Sequence, residues 1–108
     1  MQGNEYQKLA MTTLNKELSD KDILINGAMG LCGESGECID LVKKHLHQGH
    51  PLNKEKLIEE LGDVMWYIAE LAQYLGTDIE TIMEGNIEKL AKRYPDGFSQ
   101  YKSVNRSI

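Results

Sequence analysis

The run Leu57-Ile58-Glu59-Glu60-Leu61-Gly62-Asp63-Val64-Met65-Trp66-Tyr67-Ile68-Ala69-Glu70-Leu71-Ala72-Gln73-Tyr74-Leu75 decides the fold. Within it Leu57, Leu61, Val64, Ile68, Leu71 and Leu75 recur at intervals of four and three, the repeat of one helix face, and Ile58, Met65 and Ala72 widen that face. Gly76 marks the end of the helix, because glycine takes up a left-handed backbone without steric cost. Just beyond, Thr77 with Glu80 three residues on predicts a capping box. It opens a further helix with Ile79, Met83, Leu90 and Tyr94 on its apolar side, running to Pro95.

The same periods extend toward the N-terminus. Ser19 with Asp22 resembles a helix cap, and Leu24, Ala28, Leu31, Cys38, Leu41, Val42 and His45 form one stripe that ends near Gly49 and Pro51. Gly27, Gly30, Gly33 and Gly36 interrupt it at every third residue. Each costs a helix about 0.5 to 1 kcal/mol relative to alanine, which predicts close backbone packing, a break before Glu34, or both. A shorter helix is expected from about Asn4 to Leu18, through Tyr6, Leu9, Ala10, Thr13 and Leu14. After Pro95-Asp96-Gly97 the chain becomes a polar tail over 99–108. No run alternates apolar and polar residues as a strand would. The pieces predict one all-α domain over 1–108, an antiparallel four-helix bundle-like unit with its core at about 20–98. Two helices of about 20 residues are each roughly 30 Å long, more apolar stripe than one short chain covers, so oligomerisation is expected to complete the fold.

Composition narrows the function. The 108 residues carry 12 Lys+Arg against 17 Asp+Glu, a formal charge of −5, which disfavours a nucleic-acid partner that needs a broad basic face. No apolar run has membrane length, and Met1-Gln2-Gly3-Asn4-Glu5 lacks the basic-then-apolar pattern of a secretion signal, so neither a membrane partner nor export is expected. A cytoplasmic setting suits two cysteines, Cys32 and Cys38, that sit six apart on a helix and read as reduced packing residues.

Two short words hold the chemistry: Glu34-Ser35-Gly36-Glu37 and Glu60-Leu61-Gly62-Asp63. Each places acids at i and i+3, on neighbouring turns of one helix face. Packed antiparallel through their stripes, the two helices bring the pairs level. Four converging carboxylates form a hard-oxygen set suited to Mg²⁺, with Mn²⁺ as a substitute. On the last helix Asn86, Lys89 and Arg93 stand at i, i+3 and i+7 and present an edge of opposite charge, fit for phosphate oxygens. Trp66 and Tyr67 lie beside the second acid pair and offer faces for stacking, and Tyr6, Gln7 or Thr13 could close over a base from the first helix. Other acids, Glu55, Glu59, Glu70 and Glu88, read as solvent-facing. His45, His47 and His50 do not make a zinc site, because His45 and His47 point to different faces of a helix and no second cluster completes a tetrahedral set. Lys43 and Lys44 complement a helix C-terminus.

Glu34-x-x-Glu37, 22 intervening residues and Glu60-x-x-Asp63 resemble the E-x-x-E...E-x-x-D signature of the MazG-like nucleoside triphosphate pyrophosphohydrolases. The stretches Gly33–Glu37, Glu60–Tyr67 and Asn86–Phe98 are similar to that family's wording, and the likeness spans about Asn26 to Phe98. The resemblance implies an all-α homodimer or dimer of dimers in which Glu34, Glu37, Glu60 and Asp63 hold Mg²⁺ as the catalytic set. It implies hydrolysis of a (deoxy)nucleoside triphosphate substrate to the monophosphate and pyrophosphate, with Asn86, Lys89, Arg93 and Trp66 binding the nucleotide. Members act on deoxyuridine or deoxycytidine triphosphates, on damaged nucleotides, or on phosphoribosyl-ATP, so a phosphoribosyl-ATP pyrophosphohydrolase is an alternative. A helical dimerisation or adaptor module without enzymatic activity is another.

Overall fold

Capped, periodic segments become helices with short joints. The computed structural model describes residues 1–106 and contains α1 (Gly3–Ala10), α2 (Asp20–His47), α3 (Lys54–Tyr74), α4 (Ile79–Arg93) and α5 (Gln100–Val104), with a 3-10 turn at Met11–Thr13. No strand occurs among the described residues. The architecture is all-α, as the sequence predicts. Ser19 Oγ accepts from the Asp22 amide at 3.2 Å to start α2, and Asn53 Oδ1 accepts from the Lys56 amide at 3.0 Å to start α3. Gly49 and Gly76, at φ +74° and +72°, follow the ends of α2 and α3 in the left-handed region.

Several local expectations change. α1 stops at Ala10 rather than Leu18, where the hydroxyls of Thr12 and Thr13 donate to the carbonyls of Leu9 and Ala10 at 2.6 and 2.7 Å and the backbone tightens before turning extended at Leu14. The cap of α4 is Asp78, not Thr77: Asp78 Oδ1 accepts from the Thr81 amide at 2.8 Å. Glu80 serves instead as a tie to α1, accepting from the Asn4 amide at 2.7 Å while its own amide donates to Asn4 Oδ1 at 3.1 Å. α2 runs unbroken through all four glycines. Two of them serve packing: a Cβ on Gly27 would meet Leu71 at 2.8 Å, and one on Gly30 would fall inside the Tyr67 ring. Gly33 and Gly36 have open space around them. Part of the polar tail forms α5, capped by Ser99; Ser107 and Ile108 lie outside the described residues.

These close approaches set α2 and α3 antiparallel, with Gly27 beside Leu71 and Gly30 beside Tyr67. The core between the helices is made of small residues: Ala10, Ala69 and Ala72 are its buried apolar side chains. Two polar groups are buried with them. Gln7 donates to Gln73 Oε1 at 3.0 Å and to the Thr77 carbonyl at 3.1 Å and accepts from the Ile79 amide at 2.8 Å, so it pins α1 across the α3–α4 joint. Glu70 does not face solvent as the sequence reading held. It is fully buried, and both its oxygens accept from Asn26 Nδ2 at 3.0 Å. The reason lies on the other helix, where Gly27 leaves room for the carboxylate.

The expected inward stripes are only partly inward. Ile58, Leu61, Met65 and Leu75 of α3 are about half to two-thirds exposed, and every residue from Thr81 to Lys92 on α4 is exposed. The radius of gyration is 17.0 Å, against about 13 Å for a closed domain of this length.

Candidate active site

The antiparallel register carries Glu34 on α2 to the level of Glu60 and Asp63 on α3. Carboxylate oxygens of these three residues lie within 4.8 Å of one another. Glu60 is buried at 5% exposure, Glu34 is half-buried and Asp63 exposed, so the group opens to solvent on one side. Like charges this close cannot all stay ionised without a cation. Glu34 yields: its hydrogen bond to Glu60, then burial, then the charges of Glu60, Asp63 and Glu37 push its pKa up to about 7. Glu60 moves the other way, held below the usual carboxylate range by the bond from Glu34 and by Lys56, whose ammonium stands 3.3 Å from Glu60 Oε1.

Three of the four sequence-predicted acids therefore converge. Glu37 is exposed and stands outside that trio, although its charge contributes to the rise at Glu34. Lys56 was not singled out by the sequence reading, and its spacing of four from Glu60 was the available signal.

Beside the acids, Glu34, Asp63, Trp66 and Tyr67 line an open cleft of about 340 Å³. Tyr67 lies across Gly30, and Trp66 meets it edge-on, with ring centroids 5.0 Å apart and planes at 82°. The indole is fixed from α1: Trp66 Nε1 donates to Thr13 Oγ1 at 2.8 Å and to the Ala10 carbonyl at 3.2 Å. Tyr6 also faces this side, where burial and the nearby Asp63 charge raise its pKa. Gln7 does not reach the cleft, because its amide is spent on the tie to α4.

The basic edge lies elsewhere in the chain. Asn86, Lys89 and Arg93 do not line this cleft. Asn86 and Lys89 are exposed on α4, while Arg93 is half-buried with its guanidinium 6.0 Å above the Tyr94 ring. His45 Nδ1 lies 2.9 Å from the His50 carbonyl, an arrangement that closes the end of α2. Cys32 and Cys38 are free thiols, and no helix of the described residues is long and apolar enough to cross a membrane.

Among known proteins, "Gene 37 protein" of Mycobacterium phage L5 is 42% identical over 82 residues, covering 72% of this chain and 72% of its own. "Uncharacterized protein YvdC" of Bacillus subtilis (strain 168) is 49% identical over 41 residues, 38% of this chain and 39% of that protein. No solved structure matches significantly. The profile of the MazG nucleotide pyrophosphohydrolase domain matches residues 26–98, a span that holds both acid pairs, the aromatic cleft and all of α4. By that match over most of its length, the chain belongs to the MazG nucleotide pyrophosphohydrolase domain family.

Proposed function

We propose that the protein hydrolyses a nucleoside or deoxynucleoside triphosphate to the monophosphate and pyrophosphate, in the cytoplasm, as a homodimer or dimer of dimers. The observation that carries the reading is the convergence of Glu34, Glu60 and Asp63 beside a cleft walled by two aromatic rings. The donor set fits a hard divalent cation: all its atoms are carboxylate oxygens, Lys56 reaches only one of the three residues, and Glu34 retains a proton where a cation would balance the charge. Glu34, Glu37, Glu60 and Asp63 would hold Mg²⁺, or Mn²⁺ in its place. When bound, the ion supplies charge neutralisation on the phosphate oxygens and Lewis acidity toward water.

The chain's own groups have distinct tasks. A glutamate of the acid set accepts the proton of the attacking water as the new phosphorus–oxygen bond forms and pyrophosphate or nucleotide monophosphate leaves. Trp66, held by Thr13 and the Ala10 carbonyl, presents a fixed face to a nucleobase, and Tyr67 backs it. Arg93 can fork two phosphate oxygens, Lys89 acts as a point charge, and Asn86 hydrogen-bonds a phosphate or sugar oxygen.

The test is a panel of common and damaged triphosphates, with phosphoribosyl-ATP included, assayed with Mg²⁺ and with phosphate products resolved. One class is expected to release pyrophosphate, and Asp63→Asn or Glu60→Gln is expected to cut turnover by about 10²-fold or more, the scale of losing a transition-state electrostatic contact. Full turnover in either folded variant would overturn the reading. A thermal midpoint unmoved by millimolar Mg²⁺ would favour the adaptor alternative, since a cation that binds only the folded chain stabilises it.

A further inference from the structure

Glu70 is a carboxyl group that the acid set does not use. It is the largest of the fully buried side chains, and Ala69 and Ala72 beside it on α3 are buried and apolar. Both its oxygens accept from Asn26 Nδ2 at 3.0 Å. Among the described residues, these are the side-chain hydrogen bonds that join α2 to α3 outside the contact of Glu34 with Glu60.

Stability alone does not account for such a pair. A carboxyl group has several sites for hydrogen bonds, and one amide nitrogen serves both oxygens here. Its removal from water carries a cost that an apolar pair of the same shape avoids, so replacing both partners together is nearly neutral or stabilising. What an apolar pair lacks is direction. Leu71 against Gly27 and Tyr67 against Gly30 draw the two helices close, but hydrophobic contact is non-directional and lets one helix slide or turn on the other. Hydrogen bonds weaken steeply away from their preferred line. The charges of Glu34, Glu60 and Asp63 also press α2 and α3 apart, and a directional tie resists that displacement.

We propose that Asn26 and Glu70 are a positioning pair, whose buried hydrogen bonds hold α2 at the setting on α3 in which Tyr67 lies across Gly30 and Glu34 stands level with Glu60 and Asp63. Their spacing suits the task. Glu70 follows Tyr67 by three residues and Asn26 precedes Gly30 by four, so the pair lies one turn from the ring contact. Glu34 comes eight residues after Asn26, and Glu70 seven after Asp63. That is about 10 to 12 Å of helix, so the pair acts at a distance from the acids. It works through the setting of the helices and through Tyr67, whose edge-on contact with Trp66 walls the cleft. The inference rests on the hydrolase reading for what that setting serves.

Two double variants of the full chain test it. Asn26→Leu/Glu70→Met makes the pair apolar at similar size. It is expected to unfold at or above the wild-type temperature, yet to change the near-ultraviolet circular dichroism of Trp66, the one tryptophan, and its partner Tyr67. It should also lower kcat/KM and Mg²⁺ affinity by about ten- to a hundredfold, the scale of a slightly misplaced supporting group. Asn26→Asp/Glu70→Gln reverses donor and acceptor, so that an amide at position 70 serves both oxygens of a carboxyl at position 26. It is expected to restore spectrum, affinity and kcat/KM toward wild type. A lowered unfolding temperature or failure to fold in the apolar variant makes the pair a prop for stability and overturns the proposal. So does an unchanged spectrum and affinity in that variant, or a folded reversed pair that restores neither. Should the reversed pair fail to fold, the apolar variant decides. The spectrum is read without substrate, so a wild type inactive toward every triphosphate removes the hydrolase reading and leaves this test intact.

Discussion

Glu34 is the residue on which proton and cation compete. Its pKa of about 7 stands above the ordinary 4.5, so the folded metal-free chain binds a proton through that interval that the unfolded chain releases. This contribution to stability is complete below about pH 4.5 and is lost as pH rises through 7. A cation entering between Glu34, Glu60 and Asp63 must displace that proton. Apparent Mg²⁺ affinity is therefore expected to rise with pH up to about 7 and level above it. Calorimetry in buffers of different ionisation enthalpy should read up to about one proton released per site at pH 6, little at pH 8, and none in Glu34→Gln; a release that persists in Glu34→Gln assigns the proton elsewhere. Paired acids three apart, twice over, make this site legible in sequence. The divergence of Glu37 was not legible, because it depends on how far α2 has turned where it meets α3. Nor was the burial of Glu70, whose room is made by Gly27 on a different helix.

Helices were legible where period and cap agreed, and misread where two side chains competed for one role. Thr77 and Asp78 both suit a helix start, and the structure gives the cap to Asp78, held below the usual carboxylate range chiefly by the Thr81 amide it accepts from. Asp78→Ala should lower the denaturation midpoint, while Thr77→Ala should leave it nearly unmoved; the reverse result restores the sequence reading. That lowered pKa gives stability present above pH 3.8 and lost as pH falls through the folded value. The four glycines of α2 looked alike in sequence, yet they separate by what stands opposite. Gly30→Ala must push aside Tyr67, an overpacking expected to cost about 1 to 3 kcal/mol, and it should disturb the cleft wall. Gly33→Ala meets nothing within 4 Å and should stabilise the helix by about 0.5 to 1 kcal/mol. Equal effects at the two positions, measured by urea unfolding, would mean that α2 and α3 do not approach as closely at Gly30 as described.

At the scale of the whole molecule, one chain separates what a triphosphate site requires. The acids and aromatic rings lie along α2 and α3, while Asn86, Lys89 and Arg93 stand on a helix whose residues are exposed from Thr81 to Lys92 and which does not line the cleft. Sequence alone set a basic edge on the last helix against the paired acids of the other two but could not say that they belong to one chain's cleft, because order along a helix face does not fix how far that helix stands from its neighbours. In an assembly, the basic edge of one copy can face the acids of another. Glu34→Gln and Arg93→Ala should each be nearly inactive alone. When the two variants are mixed and allowed to exchange, half of the two-fold dimers combine one of each, and one of the two sites in such a dimer has both its acids and its arginine intact. Pyrophosphate release should then recover to about a quarter of the wild-type value per chain. Energy transfer between chains carrying two different fluorescent labels measures how far exchange has gone. If exchange is complete and the paired variants remain inactive, Arg93 serves the acids of its own chain, and α4 must swing inward about the joint at Gly76 when the nucleotide binds.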